Sequence, residues 1–143
     1  MPQTESSIVI DVPPKVIYGV ALDFESYPEF LPDVKSAVIE KKEGKDLLVR
    51  FEIQVIKKIA YSLRVRGTPH KRISWNLVEG DLFKKNDGGW TFEESGKEKT
   101  KATYAVTIDF GLFVPSLITS KLIGSNLPQM LKRFKERAEA LRV

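Results

Sequence analysis

The feature that most constrains the fold is a long region, from Val34 to Phe110, in which apolar and polar side chains alternate. Successive side chains of a β-strand point to opposite faces, so each alternating segment predicts a strand with one apolar and one polar face. Polar clusters with glycine or proline separate the segments and predict turns. We therefore expect an antiparallel sheet that curls around whatever covers its apolar face.

Two short helices are predicted between this region and the N-terminus. The β-branched segment Ser7–Val12 is typical of a first strand, and Pro13-Pro14 then opens a helix whose apolar residues recur at helical spacing. Ser26 and Glu29 have the spacing of a capping box, which predicts a second helix over Tyr27–Leu31. We expect the aromatic residues of this second helix to plug one end of the core.

Three further segments within the alternating region predict chain reversals. Lys57-Lys58 is expected to form a turn, and Gly96–Lys101 a polar loop. Asp87-Gly88-Gly89 is expected to form a hairpin turn before Trp90, because glycine reaches the positive φ that tight turns require.

The apolar face of the sheet is expected to be covered by a C-terminal helix that extends from about Pro115 to the end of the chain. Apolar residues recur in it every three or four positions and form a stripe: Leu127, Met130, Leu131, Phe134, Ala138 and Leu141. Pro128 predicts a bend, or a break into two helices, around Gly124–Leu127. The fold class is therefore α+β, with a curved antiparallel sheet around a long C-terminal α-helix.

Length and composition are those of an ordinary globular protein. The chain has 143 residues, 42% of them hydrophobic and 29% charged, and one domain over residues 1–143 is expected. The sequence contains no cysteine, which excludes disulfides and cysteine-ligated zinc. Its N-terminus lacks the features of a secretory signal and no apolar run is long enough to span a bilayer, so we expect a cytoplasmic location.

The formal net charge of +4 indicates possible acidic partners such as RNA or anionic membranes. Basic residues cluster at several positions of the alternating region: Lys57, Lys58, Arg64, Arg66, Lys71, Arg72, Lys84 and Lys85. A solvated surface is the favoured interpretation of this cluster. Because Tyr61, Trp75 and Tyr104 are in phase with aliphatic residues and not with the basic ones, the pattern of exposed stacking aromatics is missing, and no DNA binding is expected.

Common catalytic machinery is not indicated. The only histidine, His70, lies in a predicted turn, and no phosphate-binding loop, dinucleotide-binding or nucleophile-elbow pattern occurs. No catalytic residue, metal site or cofactor is expected. Glu52 and Asp109 are the carboxylates that we would inspect for a perturbed pKa if they faced inward, although an outward position is favoured.

What remains is an interior between sheet and helix that could enclose an apolar ligand. The candidate lining residues are Phe51, Ile53, Tyr61, Leu63, Trp75, Leu77, Trp90, Tyr104, Val106, Ile108, Phe110, Ile118, Leu122 and Met130. The alternative is that these side chains fill the interior completely, which their apolar character alone does not decide.

The chain resembles the START-like (SRPBCC) superfamily, which includes Bet v 1-type proteins and the polyketide cyclase/dehydrase group. The resemblance is nearest the coenzyme Q-binding and ribosome-association-toxin branch. It covers nearly the whole chain and is carried by Val12-Pro13-Pro14, the segment Asp23–Pro32, the Trp75 strand, Gly89-Trp90-Thr91-Phe92 and the helix through Leu127-Pro128. It implies a helix-grip domain that binds a hydrophobic molecule without a universal set of catalytic residues.

The leading hypothesis is therefore a carrier or chaperone of a lipid, quinone or polyketide-like compound, more a binding protein than an enzyme. One alternative is a cyclase or dehydratase that uses cavity tyrosine or aspartate groups as acid and base. The other is an interaction protein that associates weakly with ribosomes, RNA or an anionic membrane through its basic surface.

Overall fold

The structure, a computed structural model, describes residues 3–55, 57–80, 83–110 and 126–141. The described elements follow one another in this order: β1 Gln3–Ile10, α1 Pro14–Leu22, a 3-10 helix Phe24–Glu29, β2 Val34–Glu43, β3 Asp46–Val55, β4 Lys57–Thr68, β5 Arg72–Gly80, β6 Phe83–Gly96, β7 Lys99–Phe110 and α2 Asn126–Ala140.

The seven described strands form one antiparallel sheet in the order β1-β7-β6-β5-β4-β3-β2. Strands β2 to β6 each pair with the next strand along the chain. Strand β1 pairs with β7, from Gln3 opposite Thr107 to Ile10 opposite Thr100. The sheet curves, and α2 packs on its apolar face. The α+β helix-grip architecture expected from the sequence is confirmed.

The two helices after β1 are present, although the second begins earlier than predicted. Helix α1 starts at Pro14, as expected. The 3-10 helix begins at Phe24, and its N-cap residue is Asp23, which makes no side-chain capping bond. Ser26 therefore lies inside the helix, and the capping box predicted for Ser26 and Glu29 is wrong. Because the Asp23 amide donates to the carbonyls of Gly19 and Val20, the chain passes directly from α1 into the 3-10 helix and no separate cap is needed.

The hairpin expected at Asp87-Gly88-Gly89 is wrong, because β6 continues through these residues. A Cβ atom on Gly88 would lie 2.3 Å from the carbonyl oxygen of Ala105, and one on Gly89 would lie 2.4 Å from that of Ile73. The two glycines therefore allow close approach of β6 to both of its neighbours, β7 and β5. Positive φ occurs instead at Gly44 and Gly96, which adjoin the β2–β3 and β6–β7 turns.

The two other predicted reversals are shorter than expected. Lys57 and Lys58 are already in β4, where they pair with Val55 and Gln54 of β3. The polar loop over Gly96–Lys101 reduces to a tight turn, since β7 begins at Lys99. In both cases ladder pairing extends into polar residues that the alternation of apolar side chains does not mark.

The described part of the C-terminal helix, Asn126–Ala140, contains Pro128. Residues 124 and 125 of the predicted bend lie outside the described residues. The first part of the predicted helix, from about Pro115 to residue 125, lies outside the described residues. Leu127, Leu131, Phe134 and Ala138 are buried, as the stripe predicts. Leu141 follows the helix and is 53% exposed, so its predicted place in the stripe is wrong.

We predict opposite effects on stability for two glycine-to-alanine changes. Gly88→Ala forces a methyl group against the β7 backbone and is expected to destabilise the protein by about 1–3 kcal/mol. Gly19→Ala, in α1, meets no atom within 4 Å and is expected to stabilise it by about 0.5–1 kcal/mol, because alanine is the better helix former. Urea unfolding measures both, and equal midpoints would contradict the close approach of β6 and β7.

Candidate functional site

The centre of the interior is the contact between α2 and the sheet. Phe134 is only 2% exposed. Its ring centroid lies 5.3 Å from that of Tyr27 and 5.2 Å from that of Phe30, in the segment after α1. It also lies 5.1 Å from Trp90 on β6. A single helix residue thus joins the aromatic plug at one end of the core to the aromatic face of the sheet.

The inner face of the sheet carries two aromatic groups. On β3 and β4, Phe51 and Tyr61 pair directly, and their rings stack at 5.3 Å. On β5, β6 and β7, the Tyr104 ring lies 5.4 Å from Trp75 and 5.1 Å from Trp90. These rings present large apolar surfaces with a few polar atoms at their tips.

The structure places the described candidate residues on this inner face or on α2. Seven are buried: Phe51, Ile53, Leu63, Trp75, Trp90, Val106 and Ile108. Four are half-buried: Tyr61, Leu77, Tyr104 and Met130. Ile118 and Leu122 lie outside the described residues, as does the side chain of Phe110.

Those four residues keep exposed side-chain surface although neighbouring residues on the same face of the sheet are buried. Tyr61 is flanked along β4 by the buried Ile59 and Leu63, and Tyr104 along β7 by the buried Ala102 and Val106. A close-packed interior leaves almost no accessible surface on inward side chains. These inward residues of β4, β5, β7 and α2 therefore keep accessible surface that their neighbours on the same face lack.

Burial strongly affects the pKa values of the inward tyrosines. It raises the pKa of Tyr61 and of Tyr104 far above the usual value, and the neighbouring Tyr61 adds to the rise at Tyr104. The pKa of Tyr27 is also raised well above normal, first by burial and then by Tyr104 and Tyr61, and its hydroxyl donates to the carbonyl of Ala21. At neutral pH all three are uncharged phenols.

Asn86 is a polar residue of the interior that sequence reasoning missed. This β6 residue is 7% exposed, and its Oδ1 accepts a hydrogen bond of 3.3 Å from Nε1 of Trp75. Asn86 has the same strand phase as Trp90 and Phe92, so the alternation could have placed it inward. The hairpin predicted at Asp87-Gly88-Gly89 separated Asn86 from the strand of Trp90 and Phe92, so its inward position was not recognised.

Charged groups lie outside the interior of the described chain. Glu52 forms ion pairs with Lys58 at 3.2 Å and Arg50 at 3.8 Å on the outer face of β3 and β4. Asp109 alternates with the inward Ile108 and so faces outward. The buried polar residues of the described segments are Ser62, Asn86 and Thr100, none of which is charged. These segments also hold no cluster of side chains suited to a metal ion.

Helix α2 is attached to its surroundings by polar contacts near its C-terminus. Arg137 forms an ion pair of 2.8 Å with Glu29 and lies over the ring of Phe30. Lys135 donates to the carbonyl of Val9, and Glu139 accepts from the amide of Asp11. These contacts fix one half of the helix on β1 and on the 3-10 segment.

A separate open groove of about 830 Å³ lies on the surface between the start of α1, the β4–β5 turn and β6. Its rim carries Lys15, Lys71 and Arg72, with Glu94 as the acidic residue. His70 also borders the groove, in an exposed turn with φ of 64°, and its ring meets the edge of Tyr18 at 5.6 Å. This position agrees with the surface turn predicted for the histidine.

Comparison with known proteins agrees with this architecture. Residues 10–135 match the family described as polyketide cyclase/dehydrase and lipid transport. The chain is 27% identical to the ribosome association toxin RatA of Escherichia coli K12 over 97% of this chain and 88% of that protein.

Two solved structures share the fold at lower identity. A START superfamily protein from Mycobacterium smegmatis has a TM-score of 0.86 at 21% identity, over 98% of this chain and 99% of its own. The ZhuI aromatase/cyclase of Streptomyces sp. R1128 has a TM-score of 0.87 at 14% identity, over 96% of this chain and 93% of its own.

The fold and the uncharged interior define a START-like helix-grip protein. The chain belongs to the polyketide cyclase/dehydrase and lipid transport family. Neither α1 nor α2, the α-helices of the described residues, has the length and hydropathy that crossing a bilayer requires.

We predict that the buried tyrosines make stability fall steeply at alkaline pH. Unfolded tyrosines ionise near pH ~10, whereas Tyr61 and Tyr104 stay protonated in the folded state. The folded state then binds more protons, so its stability is full below pH ~10 and falls as the pH rises further. Urea midpoints measured from about pH 8 to 11 should fall less steeply in Tyr104→Phe than in the wild type.

Tyr18→Phe is the matched control, because burial raises the pKa of Tyr18 to a smaller extent. It should change the dependence of the urea midpoint on pH less than Tyr104→Phe does. Identical slopes in all three proteins would contradict the burial of Tyr104.

Proposed function

We propose that this protein binds a hydrophobic small molecule, such as a lipid, a quinone or a polyketide-like compound, between its curved sheet and α2. Its role would be that of a carrier or chaperone in the cytoplasm. The observation that carries the proposal is the accessible surface on the inward side chains Tyr61, Leu77, Tyr104 and Met130. Membership of a family described by polyketide cyclisation and lipid transport supports the same ligand class.

The composition of the described interior supports an apolar ligand held by few polar contacts. Aromatic and aliphatic side chains supply most of the lining, and burial of apolar ligand surface against them is favourable by about 25 cal/mol per Å². Phenol and amide groups at a few points can orient the ligand. A charged ligand would find no buried counter-charge among the described residues.

Binding is favoured over acid-base catalysis by the same side chains. A cyclase or dehydratase needs groups that exchange protons near neutral pH. The inward ionisable candidates are Tyr61 and Tyr104, and burial raises the pKa of both away from that range. Glu52 and Asp109, the carboxylates considered from the sequence, lie on the other face. Tyrosines in this state orient a ligand by hydrogen bonding.

We predict that filling the interior abolishes ligand binding. N-phenyl-naphthylamine, a neutral apolar dye that fluoresces strongly away from water, should bind the wild type saturably. Leu77→Trp places an indole on the inner face of β5 and should weaken the affinity about tenfold or more, which corresponds to about 1.4 kcal/mol. Fluorescence titration gives the dissociation constants.

Val78→Trp is the control, because Val78 is the next residue along β5 and is exposed on the outer face. It introduces the same side chain and should leave the affinity unchanged. Urea unfolding establishes that both variants are folded. Failure of the wild type to bind the dye, together with no hydrophobic ligand retained in native mass spectrometry, would defeat the proposal.

A second candidate function is association with the ribosome through the basic groove. Two observations favour it: the relative from Escherichia coli is named a ribosome association toxin, and Lys15, Lys71 and Arg72 face a groove with Glu94 as the acidic residue of its lining. Cationic side chains on a groove can contact RNA phosphates, and such binding weakens as salt rises. This surface is distinct from the interior, so the two functions are compatible.

We predict that reversing the charges of the groove reduces ribosome binding. Lys71→Glu with Arg72→Glu should lower the fraction of protein that co-sediments with ribosomes at low salt, because phosphate contacts are replaced by repulsion. Lys41→Glu with Lys42→Glu makes the same change of charge on the exposed end of β2 and should have little effect. An equal loss in both double variants would show a response to net charge alone and would count against the groove.

A further inference from the structure

The side chain of Asn86 has a hydrogen-bond donor for which the described part of the chain supplies no partner. The indole Nε1 of Trp75 is only a donor, so the Asn86 amide must turn its oxygen toward Trp75 and its NH₂ group away. The oxygen and nitrogen of an amide have similar shapes, but only the oxygen can accept a hydrogen bond from the indole N–H, and this identifies the atom that faces Trp75. The amide nitrogen makes no hydrogen bond to any part of the chain that the structure describes.

The Asn86 amide nitrogen is not a fully buried atom without a partner, because the one such side-chain polar atom in the described chain is Ser62 Oγ. It therefore keeps accessible surface, at which a ligand oxygen can replace water. Asn86 lies on the inner face of β6, and its backbone pairs with that of Ile108 on β7. Trp75, its hydrogen-bond partner, packs against the half-buried Tyr104. The unused donor therefore belongs to the same region of the interior that retains accessible surface.

We propose that the Asn86 amide is a specificity site that donates a hydrogen bond to a neutral oxygen acceptor, such as a ketone or quinone carbonyl, of the apolar ligand. This inference rests on the proposed ligand-binding function and narrows it to a ligand class. A carbonyl suits the site because it accepts without carrying charge. A carboxylate does not, because no buried residue of the described chain is cationic and an uncompensated buried charge is very unfavourable.

The experiment compares fluorenone with fluorene, two tricyclic molecules of nearly the same shape that differ in one carbonyl oxygen. Each displaces N-phenyl-naphthylamine from the protein, and the affinity ratio of fluorenone to fluorene is measured in the wild type and in Asn86→Leu. We expect this ratio to fall by about fivefold to tenfold in the variant, the effect of one lost hydrogen bond. Fluorene carboxylate is expected to bind the wild type more weakly than fluorenone.

Asn76→Leu is the matched control, because Asn76 lies on β5 but is exposed on the opposite face. It should leave the affinity ratio unchanged. The chain has six side-chain amides, those of Gln3, Gln54, Asn76, Asn86, Asn126 and Gln129. In a two-dimensional NMR spectrum of the wild-type protein, fluorenone should shift the Asn86 NH₂ signals and fluorene should not, a result that does not depend on the folding of any variant.

The outcomes separate the inference from the function on which it rests. If both tricyclic compounds bind with a ratio that Asn86→Leu leaves unchanged, and the Asn86 signals respond equally to both, the specificity site is wrong and the ligand cavity stands. Tighter binding of fluorene carboxylate than of fluorenone would also overturn it. If neither compound displaces the dye because the dye itself does not bind, the proposed function fails as well.

Discussion

The contact of Phe134 with Tyr27, Phe30 and Trp90 is the interaction on which the rest of the structure depends. A curled sheet with one apolar face is stable only when that face is covered, and α1 and α2 are the described α-helices that pack against it. The 3-10 segment cannot hold its own aromatic residues in place, because so short a helix has little intrinsic stability. Phe134 gives Tyr27 and Phe30 a surface to pack against and so fixes the end of the core, the position of α2 and the depth of the interior together.

The two halves of α2 are attached to the rest of the protein by different kinds of contact. Lys135, Arg137 and Glu139 bind β1 and the 3-10 segment near the C-terminus of the helix. Met130, earlier in the helix, is half-buried although it faces the interior. The ion pairs are partly exposed and individually weak, about 0–1 kcal/mol each. Their value is geometric, since they hold one end of the helix in place, while the buried side chains of Leu127 and Leu131 pack the other end against the core.

Much of this arrangement could be predicted from the sequence, because alternation and helical spacing are local properties. The strand phases of Phe51, Tyr61 and Trp75 and the burial of Phe134 followed directly from them. The failures share a physical cause, which is that a residue type has more than one structural use. Gly88 and Gly89 give a turn signal in isolation, but here they allow strands to approach closely, and only the neighbouring backbones distinguish the two uses. That error hid Asn86, whose inward phase is evident once β6 is continuous.

The polar atoms of the interior bear on selectivity more than on affinity. An apolar surface of this kind attracts almost any hydrophobic molecule of suitable size, because the hydrophobic effect is not directional. Discrimination arises when a ligand leaves a buried polar group unsatisfied, since that penalty exceeds the net gain from an ordinary hydrogen bond. The Asn86 amide would penalise pure hydrocarbons, and the uncharged lining would penalise anions. An apolar molecule with a neutral acceptor is the ligand that avoids both penalties, and its binding would stabilise the folded protein by mass action.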